Sequence, residues 1–319
     1  METGMSHPAM QDRHGRIMRK LRISLLDACN MRCVYCMPEQ PVFTSRKDWA
    51  SADELIAIAG NLCALGIEEI RLTGGEPTLR PDMLDIVYGL SGLPLKKLGL
   101  TSNGLLLGGY LDALKDTSCR YLNISLDSLE KKNFNRITKR DVFDVVMATI
   151  LRARDLGFHV KVNAVALRGL NDYEVLNFVD WSGREGIAVR FLEAMNIGVM
   201  QAEFTKRLIP AHEMIKTIRE HYHLTKQLSP VDATAYTFKA DNGADIGFIA
   251  SESEPFCGTC SRLRLTPQGQ LRPCLFKETG IDFRRLAPEY YPAALASLLE
   301  MKPGGRLRHI TQPMYQIGG

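Results

Sequence analysis

The chain has no apolar run approaching the roughly 18 residues of a membrane-spanning helix, and residues 1–14 lack the apolar core of a signal peptide. These absences predict a soluble, cytoplasmic protein with no membrane partner. No long Lys/Arg run exists either, and the net charge is only +4. A surface that coats nucleic acid needs a clustered basic stripe, so this mild excess fits a local pocket for an anion instead. Internal repeats and low-complexity tracts are missing as well. What is left is a chain of 319 residues with ordinary globular composition, long enough for one large α/β domain with an appended module.

Cysteine is present, but in incomplete sets. In a reducing compartment the eight cysteines read as metal ligands rather than disulfide partners. Cys63, in an apolar helical stretch, and Cys119, before a strand, are expected to be structural. The other six form two triads, each lacking a fourth ligand. Cys29, Cys33 and Cys36 make C-x3-C-x2-C just after a strand-like segment. A closed zinc site or a ferredoxin-type cluster takes four protein ligands. Three therefore suggest a cubane with one iron left for a ligand that the protein does not supply, the alternative being a zinc knuckle completed from elsewhere. Cys257, Cys260 and Cys274 make C-x2-C-x13-C, again without a fourth ligand. A zinc ribbon would have to recruit His309, the sole late histidine, and a second open cubane is the favoured reading.

From Arg22 onward, short apolar runs alternate with helical patterns, the rhythm of parallel βα units. Strands are predicted at Arg22 to Leu26, Ile70 to Thr73, Leu98 to Ser102, Tyr121 to Leu126, Val160 to Ala166 and Ala188 to Phe191. Between them, Ser51 to Glu54 is a capping box opening a helix to Ala64. Pro81, Val142 and Asn171 mark further helices. Such units build either a barrel or an open doubly wound sheet.

Side chains alternate faces along a strand. Arg22 with Ser24, Arg71 with Thr73, Thr101 with Asn103, Asn123 with Ser125 and Asp127, and Lys161 with Asn163 therefore share one face, and apolar residues fill the other. Arg22, Arg71, Lys161 and Arg190 put four cations on the polar face against Asp127 as the clear acid. The polar face is thus predicted to line a lumen holding an anion, unless each cation is paired with a carboxylate elsewhere. Thr73-Gly74-Gly75-Glu76-Pro77 follows the second strand and lets backbone approach a ligand closely.

The rhythm breaks after Met195. A helix is predicted over Ala211 to Tyr222, loop and strand over Pro230 to Asp245, and strands over Ile246 to Ser251 and Arg262 to Thr266. Arg262 and Arg264 share a face of the last of these, whose hairpin turn is Thr266 to Gln270. Paired guanidiniums suit phosphate because each offers planar, bidentate donors.

With Tyr35 before its last cysteine, the first triad resembles the signature of the radical S-adenosylmethionine (SAM) enzymes. The resemblance implies an incomplete (β/α)6 TIM-like barrel and a cluster whose open iron is chelated by the methionyl amine and carboxylate of SAM. Cleavage of SAM then yields a 5'-deoxyadenosyl radical, with the G-G-E-P stretch lying against the methionyl amine. Both triads, G-G-E-P, the Arg262–Arg264 block and the terminal Gly318-Gly319 together resemble the GTP 3',8-cyclase family, over nearly all of the chain from Arg22. That likeness implies two 4Fe-4S clusters, one held by Cys29, Cys33 and Cys36 and an auxiliary one held by Cys257, Cys260 and Cys274. It also implies SAM at Tyr35, Gly75, Ser125 and Met195, and GTP at Arg22, Arg71, Thr101, Lys161, Arg262, Leu263 and Arg264. The Gly318-Gly319 tail is expected to reach into the active site.

The implied reaction abstracts hydrogen from ribose C3' of GTP and joins C3' to guanine C8. Its product is 3',8-cyclo-7,8-dihydro-GTP, the first step towards the molybdenum cofactor. Expected partners are the downstream cyclic pyranopterin monophosphate synthase and an electron donor such as flavodoxin or ferredoxin, with a monomer or homodimer as the working unit. The expected division is an N-terminal arm at 1–21, a partial barrel at 22–200 and a C-terminal auxiliary-cluster module at 201–319. A radical SAM enzyme that modifies peptides is the alternative, although a peptide does not require a basic lumen.

Overall fold

A computed structural model of the chain describes residues 10–307, 310 and 312–318. The six predicted strands are β1 (Lys20–Ser24), β2 (Glu69–Thr73), β3 (Lys97–Ser102), β4 (Cys119–Ser125), β5 (His159–Ala166) and β6 (Ala188–Glu193). All run parallel and pair in chain order. The connecting helices are α1 (Ala52–Ala64), α2 (Met83–Ser91), α3 (Leu111–Leu114), α4 (Lys131–Thr138), α5 (Phe143–Asp155) and α6 (Val175–Glu185). The predicted capping box starts α1: Ser51 Oγ accepts from Glu54 N at 3.2 Å, and the Glu54 carboxylate accepts from Ser51 N at 2.7 Å. No helix among the described residues is long and apolar enough to cross a membrane.

Beyond β6 come α7 (Phe204–Arg207), α8 (Ala211–Arg219), β7 (Leu224–Gln227), β8 (Tyr236–Ala240), β9 (Asp245–Ile249), β10 (Arg262–Leu265), β11 (Gln270–Arg272), β12 (Ile281–Asp282), α9 (Tyr291–Glu300) and α10 (Met314–Ile317). These strands join the first six in one open sheet of order β12-β11-β10-β1-β2-β3-β4-β5-β6-β9-β8-β7. β10 pairs parallel with β1 and β9 parallel with β6, so the chain after 200 lengthens the parallel run at both edges. The later strands thus flank the first six on either side of the sheet. Within the segment 1–21, the chain is packed from residue 10 on. Met10 and Met18 are buried in the main core, Gln11 bridges Ile17, and β1 already begins at Lys20. Residues 1–9 lie outside the described residues.

The core lies between the sheet and its helices. Leu21, Ile23, Ile70, Leu72, Leu98, Leu100, Leu122, Ile124 and Val162 are all buried there. Each contributes about 2 kcal/mol by burial, which holds their polar strand neighbours on the opposite face. A closed TIM barrel fills its lumen with branched apolar side chains; here that face carries the charges.

Candidate active site

The cysteine loop leaves the C-terminal end of β1 and is fastened from three sides. Gly75 N donates to Leu26 O at 2.7 Å and Glu76 N to Ala28 O at 2.8 Å, so the G-G-E-P segment lies directly against the approach to Cys29. A Cβ at Gly75 would run into the carbonyl oxygens of Ala28 and Asp27, which is why glycine is needed there. Arg32 N and Val34 N donate to the Thr138 and Ile137 carbonyls at the end of α4. Tyr35 OH donates to Asp127 Oδ2 at 2.8 Å, and Asp127 Oδ1 accepts from Val165 N at 2.9 Å.

The buried Glu76 carboxylate, pushed up by its burial, accepts from Thr78, from Ser102 Oγ at 2.8 Å and from Asn103 N at 2.6 Å. It thereby ties the ends of β2 and β3 together. Asn103 Nδ2 reaches Asn30 Oδ1 at 2.7 Å and Cys29 Sγ at 3.6 Å, a contact that was not legible in the sequence.

Burial pushes the Cys29 and Cys33 thiols up and Cys36 to about 12, and the charges of Asp127 and the neighbouring thiols raise Cys33 and Cys36 further. Three such thiols would not stay ionised without a metal cation to hold them, so the donor set fits a thiolate-bound cluster. Among the described residues no three His, Cys, Asp or Glu side chains converge on a single ion. A cubane differs in giving each thiolate its own iron.

The polar strand face is strongly cationic. Strand register places Arg264, Arg22, Arg71 and Gly99 side by side across β10, β1, β2 and β3. Burial, reinforced by Arg264, Arg262 and Arg71, drops Arg22 well below its ordinary value. Arg71 and Arg264 fall to about 10 and Lys161 to about 8, in each case first through burial. After burial, the charge of Arg190 lowers both Arg71 and Lys161, and Lys97 and Arg71 lower Lys161 further.

Among the described residues, none of Arg22, Arg71, Lys97, Lys161, Arg190, Arg262 and Arg264 forms an ion pair with a carboxylate. Of the acids on that face, Glu69 lies 3.8 Å from Lys20, and Asp127 is raised by burial to about 6 and occupied by Tyr35. Such a cluster of like charges calls for an anion to neutralise it. Lys97 was missed in the sequence because it begins β3 one residue before the predicted strand; it lies 4.1 Å over the Tyr121 ring. Gly99 has a steric role, since a Cβ there would sit 2.6 Å from Tyr121 O and 3.1 Å from the Arg71 guanidinium.

Thr101 and Ser125 lie on the same strand face, opposite Asn123 and Asn163 respectively. Leu263 lies between the two arginines of β10. The alternation that turns Arg262 and Arg264 to the lumen buries the Leu263 side chain completely in the apolar core, leaving only its backbone near the cations.

The second triad is at the other end of the same strands. Cys260 precedes β10 and Cys274 follows the antiparallel β11, whereas the first triad follows β1. The four residue steps of β1 separate the two ends by roughly 13 Å, with Arg22 and Arg264 between. Burial and the other two thiols raise Cys257. Cys260 is pushed up by burial but brought down on balance to about 7 by Arg262 and Lys302.

The tail closes the opposite end. Gly318 O accepts from Arg264, Tyr315 OH donates to Val42 O at 3.3 Å, and Ile317 packs with Ile197, Ile310, Met314 and Met195. Gly318 has φ +74°, and a Cβ on it would lie 2.7 Å from Ser24 Cβ. Gly319 and His309 lie outside the described residues.

Residues 23–182 match the profile described as the Radical SAM superfamily, and residues 187–301 that described as Molybdenum Cofactor Synthesis C. A protein named GTP 3',8-cyclase from Synechocystis sp. is 43% identical over 308 residues, covering 97% of this chain and 94% of its own length. One of the same name from Erythrobacter litoralis is 33% identical over 94% of this chain and 93% of its own. Molybdenum cofactor biosynthesis protein 1 of Mus musculus is 42% identical over 86% of this chain, which spans 44% of that longer protein. Among solved structures, Streptococcus suis SuiB bound to S-adenosylmethionine superposes with a TM-score of 0.67 at 14% identity, covering 91% of this chain and 69% of SuiB, a likeness of fold alone. With two profiles and a full-length relative at 43% identity agreeing, the chain belongs to the radical SAM superfamily and, within it, to the GTP 3',8-cyclase family.

Proposed function

We propose that this chain converts GTP to 3',8-cyclo-7,8-dihydro-GTP, the first step of molybdenum cofactor biosynthesis. The observation that carries the reading is a lumen of unpaired cations between two cysteine triads at opposite ends of β1 and β10. GTP is isomerised, with a C3'–C8 bond formed, while SAM is split to methionine and 5'-deoxyadenosine; two electrons and one proton are consumed. A one-electron carrier protein is the expected source of the electrons.

Cys29, Cys33 and Cys36 would hold the SAM cluster, which when bound supplies the electron for SAM cleavage. Cys257, Cys260 and Cys274 would hold a second 4Fe-4S cluster. Tyr35, Gly75, Ser125 and Met195 would line the SAM site, and the anchoring of Tyr35 by Asp127 and of Gly75 by Leu26 O supports that role. Arg22, Arg71, Lys161, Arg262 and Arg264, with Thr101 beside them, would bind GTP. Each cation relieves its crowding by pairing with a phosphate, and several anchors together hold the ribose and base in reactive register. Leu263 would contribute through its backbone. The Gly318-Gly319 tail would cover the substrate and keep water out.

The test is anaerobic. With iron and sulfide reconstituted and dithionite and SAM added, 5'-deoxyadenosine is measured with GTP, with ATP and with neither. GTP-specific stimulation with a product of unchanged nucleotide mass is expected. Equal SAM cleavage in all three removes GTP as the substrate and returns the peptide-modifying alternative; no cleavage with both clusters loaded removes the enzyme reading.

A further inference from the structure

Lys302, two residues beyond α9, is 1% exposed and forms no ion pair with a carboxylate among the described residues. A lysine so placed is normally driven neutral unless another negative charge is near. Its ammonium has three donors, and all three are taken. They go to Arg262 O at 2.8 Å, Pro273 O at 2.6 Å and Cys260 Sγ at 3.8 Å. Arg262 stands two residues after Cys260, and Pro273 immediately precedes Cys274. One buried side chain thus ties together the two strand ends that carry the second triad.

Arg16 makes a useful contrast. It too is buried behind the triad, donating to Cys257 O at 2.6 Å and Pro303 O at 2.8 Å, but its charge is met by Asp12 at 2.6 Å. Lys302 has no such acid. Its place is taken by a ligand sulfur, Cys260 Sγ at 3.8 Å.

We propose that Lys302 is the positioning residue of the second cysteine triad, fixing the spacing of its two arms and raising the reduction potential of the 4Fe-4S centre held there. The inference rests on the reading of that triad as a cluster site. A fixed positive charge donating to a ligand sulfur stabilises the reduced centre, which carries one more negative charge than the oxidised one. The step is a single electron transferred from a reductant to the centre, with no bond broken and Lys302 keeping its three hydrogen bonds. A lysine serving structure alone would hold the arms together but leave the potential where a neutral bridge leaves it.

The experiment uses the full chain with Cys29, Cys33 and Cys36 all changed to serine, so that only the second centre loads. About four irons per chain are expected; zinc instead, or no iron, overturns the cluster reading itself. On that background, Lys302→Met and Lys302→Gln are compared with Lys302→Arg by dithionite titration followed by electron paramagnetic resonance. Loss of the charge is expected to shift the one-electron equilibrium at least tenfold towards the oxidised centre, a lowering of about 59 mV. Lys302→Arg is expected to keep the parent potential. Lys302→Gln retains donors, so it gives the reading if the methionine variant does not fold. Four irons with an unchanged potential in the neutral variants would overturn the assignment while leaving the cluster in place.

Discussion

Arg71→Met should make the nucleotide-free protein more stable while damaging its ability to bind GTP. Arg71 sits between Arg22 and Gly99 in the sheet, with its guanidinium 3.3 Å from Leu100 O. Burial first, and Arg190 second, drop it from 12.5 to about 10. At about 1.4 kcal/mol per pKa unit, holding that charge at neutral pH costs the folded chain about 3 kcal/mol. The penalty is complete below pH 10 and relaxes only above it. Methionine removes the charge and sacrifices one hydrogen bond worth about 1 kcal/mol, leaving a net gain of about 2 kcal/mol. For a chain of this size that is a rise in Tm of about 3 °C.

GTP reverses the order. A charge-assisted bidentate contact with phosphate is worth about 2.7 kcal/mol, so its loss weakens binding about 100-fold. The stabilisation that GTP brings to the wild type by mass action is then largely missing in the variant. Calorimetric melts of both proteins, with and without GTP under anaerobic conditions, give all four numbers. A lower Tm for the nucleotide-free variant would refute the crowded-cation account, and equal GTP-induced shifts would remove Arg71 from the substrate site.

Three other outcomes follow from the same geometry. Burial and the surrounding cations lower Lys161 from 10.5 to about 8. Between those values the unfolded chain holds the proton more tightly, so wild-type stability should rise with pH relative to Lys161→Met. GTP should restore the proton, giving uptake near pH 8.5 by titration calorimetry in buffers of different ionisation enthalpy; the same uptake in Lys161→Met would contradict this. Gly75→Ala drives a Cβ into the Ala28 and Asp27 carbonyls, and should leave about four irons per reconstituted chain instead of about eight. Retention of all of them would mean that the G-G-E-P loop does not support the first triad. Gly318→Ala combines about 1 kcal/mol of left-handed strain with a Cβ 2.7 Å from Ser24 Cβ. It should speed hydrogen exchange at residues 312–318 and slow turnover while SAM binding is kept; undiminished turnover would deny the tail a role.

Much of the architecture was legible because it is written in short periods. Alternation along five- to eight-residue strands identified the lumen face, and with it Arg22, Arg71, Lys161 and Arg190. Ser51 and Glu54 announced the start of α1, because capping acts over a few residues, and C-x3-C-x2-C gathers three thiols in one short loop. The same alternation places the Leu263 side chain in the core between two lumen-facing arginines.

The sequence by itself determined the βα rhythm, the cationic strand face and the two cysteine triads, since each depends on neighbours along the chain. Tertiary structure alone decided that β10 lies against β1, setting Arg264 beside Arg22 and the two triads at opposite ends of one lumen. It alone brought Lys302 and Arg16 behind the second triad and Gly318 onto Arg264. Those contacts join residues 42 to 242 positions apart, and no local propensity encodes them. Burial of the apolar faces selects the register, and the charged groups are carried into contact with it.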